Sequence, residues 1–144
     1  MSESKALMKL FTLEEANAMI PKLELAMATI TRLGLALRRE IEAVAGELDR
    51  QAKELSTDEL LRIRPEMAGI VRELEQRVAE IEASGAQFKG FDLGLVDFPA
   101  QIDGQFGLLC WQFGEKMITH WHTLDGGFAA RKPLPNAGGT FYLQ

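Results

Sequence analysis

The sequence predicts an α+β fold: a long antiparallel helical hairpin, preceded by a short helix, packed on a small three-stranded antiparallel β-meander. Two observations carry this. The composition changes near Ser84-Gly85: Ala, Leu, Glu and Arg dominate before it, whereas most glycines, both tryptophans and both histidines follow it. The hydrophobic period changes there too, from three- and four-residue steps to short apolar runs separated by glycine turns.

In the first half, Thr12 followed by Glu15 forms a capping box, in which each residue satisfies a backbone N–H of the other's end of the first turn. Pro21 then ends or kinks a short first helix, so a longer one starts near it. Along that helix Ile30, Leu33, Leu37, Ile41, Val44, Leu48 and Leu55 form one apolar seam. Ser56-Thr57-Asp58-Glu59 offers a second capping box, and Pro65 marks a start or kink rather than a smooth interior. From Met67 the seam resumes through Ile70 or Val71, Leu74, Val78 and Ile81, until Ser84-Gly85 stops it. Two matched seams joined by a short connection pair antiparallel. The hairpin is assigned to residues 11–84, the meander to 90–125 and an extended or mobile tail to 131–144, all within one domain of 144 residues.

In the second half, Leu93–Phe98, Phe106–Phe113 and Lys116–Thr123 read as strands, with Asp103-Gly104 and Gly114-Glu115 as two-residue hairpin turns. The first turn sets Asp97 opposite Cys110 and Val96 opposite Trp111; the second sets Cys110 opposite Thr119, Leu109 opposite His120 and Leu108 opposite Trp121. Alternation then separates two faces. Val96, Phe98, Leu109, Trp111, Ile118 and His120, with His122 beyond, form the apolar face expected to meet the helices. Leu95, Asp97, Leu108, Cys110, Gln112, Met117, Thr119 and Trp121 form a mixed face left uncovered by a single helical layer.

Composition limits function. A net charge of −5 gives no basic field for phosphate backbones, so no nucleic-acid partner is expected. One cysteine forms no internal disulfide, Met1 to Phe11 lacks the unbroken apolar core of a signal peptide, and no run reaches the length of a membrane span. A soluble protein of a reducing cytoplasm is expected. No phosphate-cradling glycine loop, nucleophile elbow or His-Glu-x-x-His helix is present in the sequence.

Several motifs together are specific. Phe11-Thr12-Leu13-Glu14-Glu15-Ala16-Asn17 with Pro21, then Gly94-Leu95-Val96-Asp97-Phe98-Pro99, Leu109-Cys110-Trp111, Gly114-Glu115, Trp121-His122 and Gly127-Phe128 with Arg131, resemble the prokaryotic family catalogued as domain of unknown function 2203. The resemblance spans roughly residues 11 to 134. It implies a small cytoplasmic prokaryotic protein and carries over positions without an established activity. His120 departs from the pattern, which is more often aromatic there.

The candidate site is the mixed face: Asp97, Cys110, Thr119 and Trp121, with Arg131 as the partner expected for the Asp97 carboxylate. Cys110 is expected as a small buried residue, since an anionic Asp97 opposes thiolate formation. His120-x-His122, with Glu115, Asp97 or Asp125 as an oxygen donor, has a spacing that suits zinc. The register sends both imidazoles away from Asp97 and Cys110, so packing is preferred for them and neither metal nor cofactor is expected. The sequence therefore points to a non-catalytic ligand- or protein-binding module acting as a homo-oligomer, with a metal-assisted hydrolase using His122 and nearby carboxylates as the alternative.

Overall fold

The computed structural model describes residues 8–135. Thr12 caps the first helix, α1 (Leu13–Ala18), as its spacing requires: its hydroxyl accepts the Glu15 N–H at 3.0 Å and Glu15 Oε1 accepts the Thr12 N–H at 3.0 Å. Pro21 sits in the first turn of α2 (Ile20–Glu47), where its missing N–H costs nothing. Helix α2 ends at Leu48, and Asp49 turns the chain with φ +56°. After a 3₁₀ turn at Ala52–Glu54, Ser56 and Glu59 form the second capping box and start α3 (Thr57–Ile63). Pro65 opens another 3₁₀ turn, Pro65–Met67, before α4 (Ala68–Ala83).

The hairpin differs from a pair of equal helices. Helix α4 runs back along only the first part of α2: Arg77 and Ile81 lie beside Leu23 and Ala26, while Leu74 and Val78 lie beside Ile30. The far part of α2 is closed by the intervening chain instead. There Val44, Leu55 and Leu60 make a small separate core, flanked by Leu37 and Ile41, whereas Leu48 is exposed. Ion pairs hold the same joint. Arg50 grips both oxygens of Glu59 at 3.0 and 3.1 Å, and Arg64 at the end of α3 reaches Glu40 and Glu47 on α2 at 2.9 and 2.6 Å. The Arg50 hydrogen bonds hold the Glu59 carboxyl at about 2.

The sheet has five strands rather than three, all antiparallel and in sequence order: β1 (Gln87–Phe88), β2 (Leu95–Ile102), β3 (Gln105–Gln112), β4 (His120–His122) and β5 (Lys132–Pro133). Strand β1 is too short to show a period in the sequence. Strand β5 lies where an extended or mobile tail was expected: Pro133 pairs opposite His120, and the Leu134 N–H bonds the Thr119 carbonyl at 2.8 Å. The rest of that tail, 136–144, lies outside the described residues.

The first hairpin has the expected register. Asp103 and Gly104 both take positive φ, +53° and +80°, as a two-residue turn of this hand demands, and Asp97 stands opposite Cys110. The second hairpin does not. The tight turn closes one residue early, on Phe113-Gly114, with the Glu115 N–H bonded to the Gln112 carbonyl at 2.9 Å and Gly114 at φ +102°. The chain then leaves the ladder, because the Ile118 N–H is taken by the Asn17 side chain of α1 at 2.8 Å. It re-enters with His120 opposite Cys110, Trp121 opposite Leu109 and His122 opposite Leu108. This is one residue out of the expected pairing, and a one-residue slip moves every β4 side chain to the other face.

Consequently Trp121 packs with Trp111 on the helix-facing side, in one core with Phe98, Leu109, Met27 and Ile30. Its ring lies against Gly107, under Lys132, whose ammonium is 4.9 Å from the ring centroid. A Cβ on Gly107 would stand 2.7 Å from that ring. Alanine normally stabilises a strand relative to glycine; here Gly107→Ala is expected to destabilise the protein by about 1–3 kcal/mol, measurable by denaturant unfolding, and an equal or raised midpoint would contradict this packing.

Candidate functional site

The slip in β4 brings the histidines to the face that carries Asp97 and Cys110. Asp97 on β2 and Cys110 on β3 are cross-strand partners, His120 stands opposite Cys110, and His122 follows two residues along the same side. This second face is not open. The chain between β4 and β5, including a 3₁₀ turn at Phe128–Ala130, folds back over it, so Asp97 and His122 are each only 3% exposed although they face away from the α-helical layer. Leu95, Leu108, Leu124, Phe128 and Lys89 enclose a cavity of about 240 Å³ with Asp97, Cys110 and His122 in its wall.

At the centre, His122 Nε2 lies 2.8 Å from Asp97 Oδ2. Its other nitrogen, Nδ1, is 2.7 Å from the Thr123 carbonyl, which can only accept, so Nδ1 carries a proton. The Gly127 N–H points at the same nitrogen from 3.3 Å, a longer contact that does not change this assignment. The 2.8 Å contact between Nε2 and Oδ2 is a hydrogen bond, with one proton between the two atoms. Asp97 Oδ1 accepts from no nitrogen or oxygen donor among the described residues, although it is buried. An unpaired buried carboxylate oxygen is costly and marks a place where a ligand can act.

Cys110 completes the cluster. Its sulfur, the Asp97 carboxylate and a His122 ring nitrogen lie within 4.8 Å of one another. Burial first, and the Asp97 charge next, push its thiol up to about 12, against a smaller opposing pull from Arg131. The thiol stays protonated at neutral pH and offers Asp97 only a weak S–H donor.

The remaining expected site residues fall elsewhere. Arg131 does not pair with Asp97. Its Nη2 holds both oxygens of Glu115, at 3.1 and 3.0 Å, and the Cys110 carbonyl at 3.3 Å, with Phe128 stacked 5.0 Å away. Glu115 is oriented by the early turn, where Oε1 also accepts the Gln112 N–H at 2.8 Å, so the pair clasps the β5 end of the chain between β4 and β5 to the turn after β3. Thr119 precedes β4 and bonds His120 Nδ1 at 2.9 Å instead of facing Cys110. Trp121 lies on the opposite side of the sheet. The metal alternative of His120, His122 and Glu115 is likewise not assembled: His120 turns to Thr119 and Glu115 to Arg131. His122 is the residue that belongs beside Asp97, and the turn does not signal it: closure on Phe113-Gly114 alone would set Cys110 opposite Met117 and keep the expected faces, and the residues that leave the ladder before β4 reverse them.

The fold and site define a class: a helical layer on an antiparallel five-stranded meander, with a buried aspartate–histidine pair beneath a loop on the opposite face. The chain belongs to the uncharacterised conserved protein family DUF2203, whose model matches residues 9–134. No curated protein and no solved structure matches it.

If Asp97 and His122 act as a pair, each single replacement by alanine strands its partner, at about 3–5 kcal/mol, and the double replacement costs less than the sum of the two. A double-mutant cycle by chemical denaturation reads this coupling, and strict additivity would show two independent residues. Cys110 is expected to resist alkylation by iodoacetamide at pH 8 in the folded protein and to react once unfolded; ready labelling of the folded chain would contradict its burial.

Proposed function

We propose that this chain is a non-catalytic binding module that holds a small ligand in the sheet-face cavity, with the ligand's polar end on Asp97 and its body among Leu95, Leu108, Leu124 and Phe128. The observation that carries the reading is the buried Asp97 Oδ1, which has no nitrogen or oxygen donor among the described residues. It calls for a hydroxyl, an ammonium or a cation. A cavity of about 240 Å³ lies just below the usual range for drug-sized ligands and suits a smaller one, and its leucines and Phe128 supply apolar contact beside the polar groups of Asp97, His122 and Lys89.

Features of the same site speak against nucleophilic catalysis. A thiol at about 12 beside an aspartate is a poor nucleophile; the His122 imidazole spends both nitrogens on Thr123 and Asp97, and that of His120 turns its Nδ1 to Thr119.

The test uses three probes with the same three-carbon body: n-propylamine, 1-propanol and propionate. Amide chemical-shift mapping is expected to show the amine or the alcohol perturbing Leu95, Cys110 and Phe128 with affinity on the order of millimolar, and propionate leaving them unchanged. Leu124→Glu, at an exposed rim position, should weaken that binding without lowering stability. Absence of any shift at these residues with both donor probes would remove the support for this site.

A further inference from the structure

We infer that the Asp97–Cys110–His122 cluster is a site for a divalent metal ion of the zinc class, held by one carboxylate oxygen, the Cys110 thiolate and His122 Nε2, with the fourth position open to the cavity. The inference rests on the binding reading above and names the cation that would meet Asp97.

Four observations converge on it. The donor types are one oxygen, one sulfur and one imidazole nitrogen, a mixed set that suits zinc and its neighbours and does not suit magnesium or calcium, which take oxygen. Their spacing brackets what a metal needs: tetrahedral zinc with bonds of about 2.0–2.3 Å sets its donors about 3.3–3.8 Å apart, and here the hydrogen-bonded Asp97–His122 pair stands at 2.8 Å and the three donors lie within 4.8 Å of one another, so small side-chain shifts seat the ion. The outer support is in place, because Nδ1–H of His122 is tied to the Thr123 carbonyl at 2.7 Å, which fixes the ring and turns Nε2 toward the cluster. The charge also closes. A carboxylate, a thiolate and a neutral imidazole balance two positive charges in a buried site, whereas without a cation Asp97 Oδ1 has no nitrogen or oxygen donor among the described residues.

Loading the site balances in protons. The metal replaces the proton shared by Asp97 Oδ2 and His122 Nε2 and the proton of the Cys110 thiol, and both leave to solvent. The sulfur that is inert as a free thiol becomes a ligand, since coordination deprotonates it. The cavity then holds whatever fills the fourth position, water or the polar end of the small ligand, among Leu108, Leu124 and Phe128.

His120 separates this set from the one based on the two histidines alone. It shares the sheet face and stands opposite Cys110, yet its Nδ1 bonds Thr119. It is not a ligand in this assignment.

The experiment titrates the full chain, stripped with EDTA and dialysed, with cobalt(II) chloride and then with zinc sulfate. Cobalt is expected to saturate at one equivalent with a near-ultraviolet thiolate-to-cobalt absorption, and zinc to displace it. Cys110→Ser should abolish that absorption, Asp97→Asn should weaken binding at least about tenfold, and His120→Ala should leave both unchanged. Near-ultraviolet circular dichroism checks that each variant is folded; if Cys110→Ser is not, the wild-type absorption together with Asp97→Asn decides. A folded wild-type chain that gives no thiolate absorption, or one whose absorption is lost in His120→Ala, overturns the assignment. Cobalt failing while n-propylamine still binds would sink the metal and leave the binding reading standing; neither binding would sink both.

Discussion

The pairing of β3 with β4 is the constraint on which the second face depends. Cys110 meets His120 because the chain leaves the ladder after the Gln112–Glu115 turn, where the Ile118 N–H goes to Asn17 of α1, and resumes only at β4. Those contacts decide which imidazole reaches Asp97 and which tryptophan reaches the helices. Side-chain direction has a period of two, so there is no intermediate arrangement in which Trp121 and His122 share a face. The helical layer gains a large aromatic surface, and the opposite face gains a polar cluster.

Burial of that cluster follows from connectivity more than from composition. A two-layer domain with helices on one side ordinarily leaves its other sheet face to water. Here the strand order leaves β4 and β5 joined by a loop that returns across the sheet, and the Arg131–Glu115 pair holds the loop's far end near Cys110. The loop converts a surface carboxylate into a buried one, which raises the energetic stake of every hydrogen bond that Asp97 makes or lacks.

Much of the helical half was legible in the sequence, because capping boxes and proline positions act locally: Thr12–Glu15, Ser56–Glu59, Pro21 and Pro65 do what their residue types dictate. The Asp103-Gly104 hairpin was legible for the same reason. The second hairpin was not: a turn one residue early would alone keep the expected faces, and the reversal comes from the residues that leave the ladder around Ile118, whose N–H goes to Asn17, about a hundred residues away in the chain, through a contact with no local signature. Asp97 and Cys110 were placed together correctly because they depend only on the first turn. His122, Trp121 and Thr119 were misplaced by the same single residue. The two-residue strands β1 and β5 are too short for alternation to register.

The small core formed by Val44, Leu55 and Leu60 has a consequence for how the molecule loosens. It sits apart from the main core, closed by its own ion pairs of Arg50 and Arg64. Cooperative units in proteins follow such divisions. The distal end of α2 with α3 can open as a separate foldon, exchanging its amide protons at a lower free energy than the sheet, while the strands that carry Asp97, Cys110 and His122 remain closed.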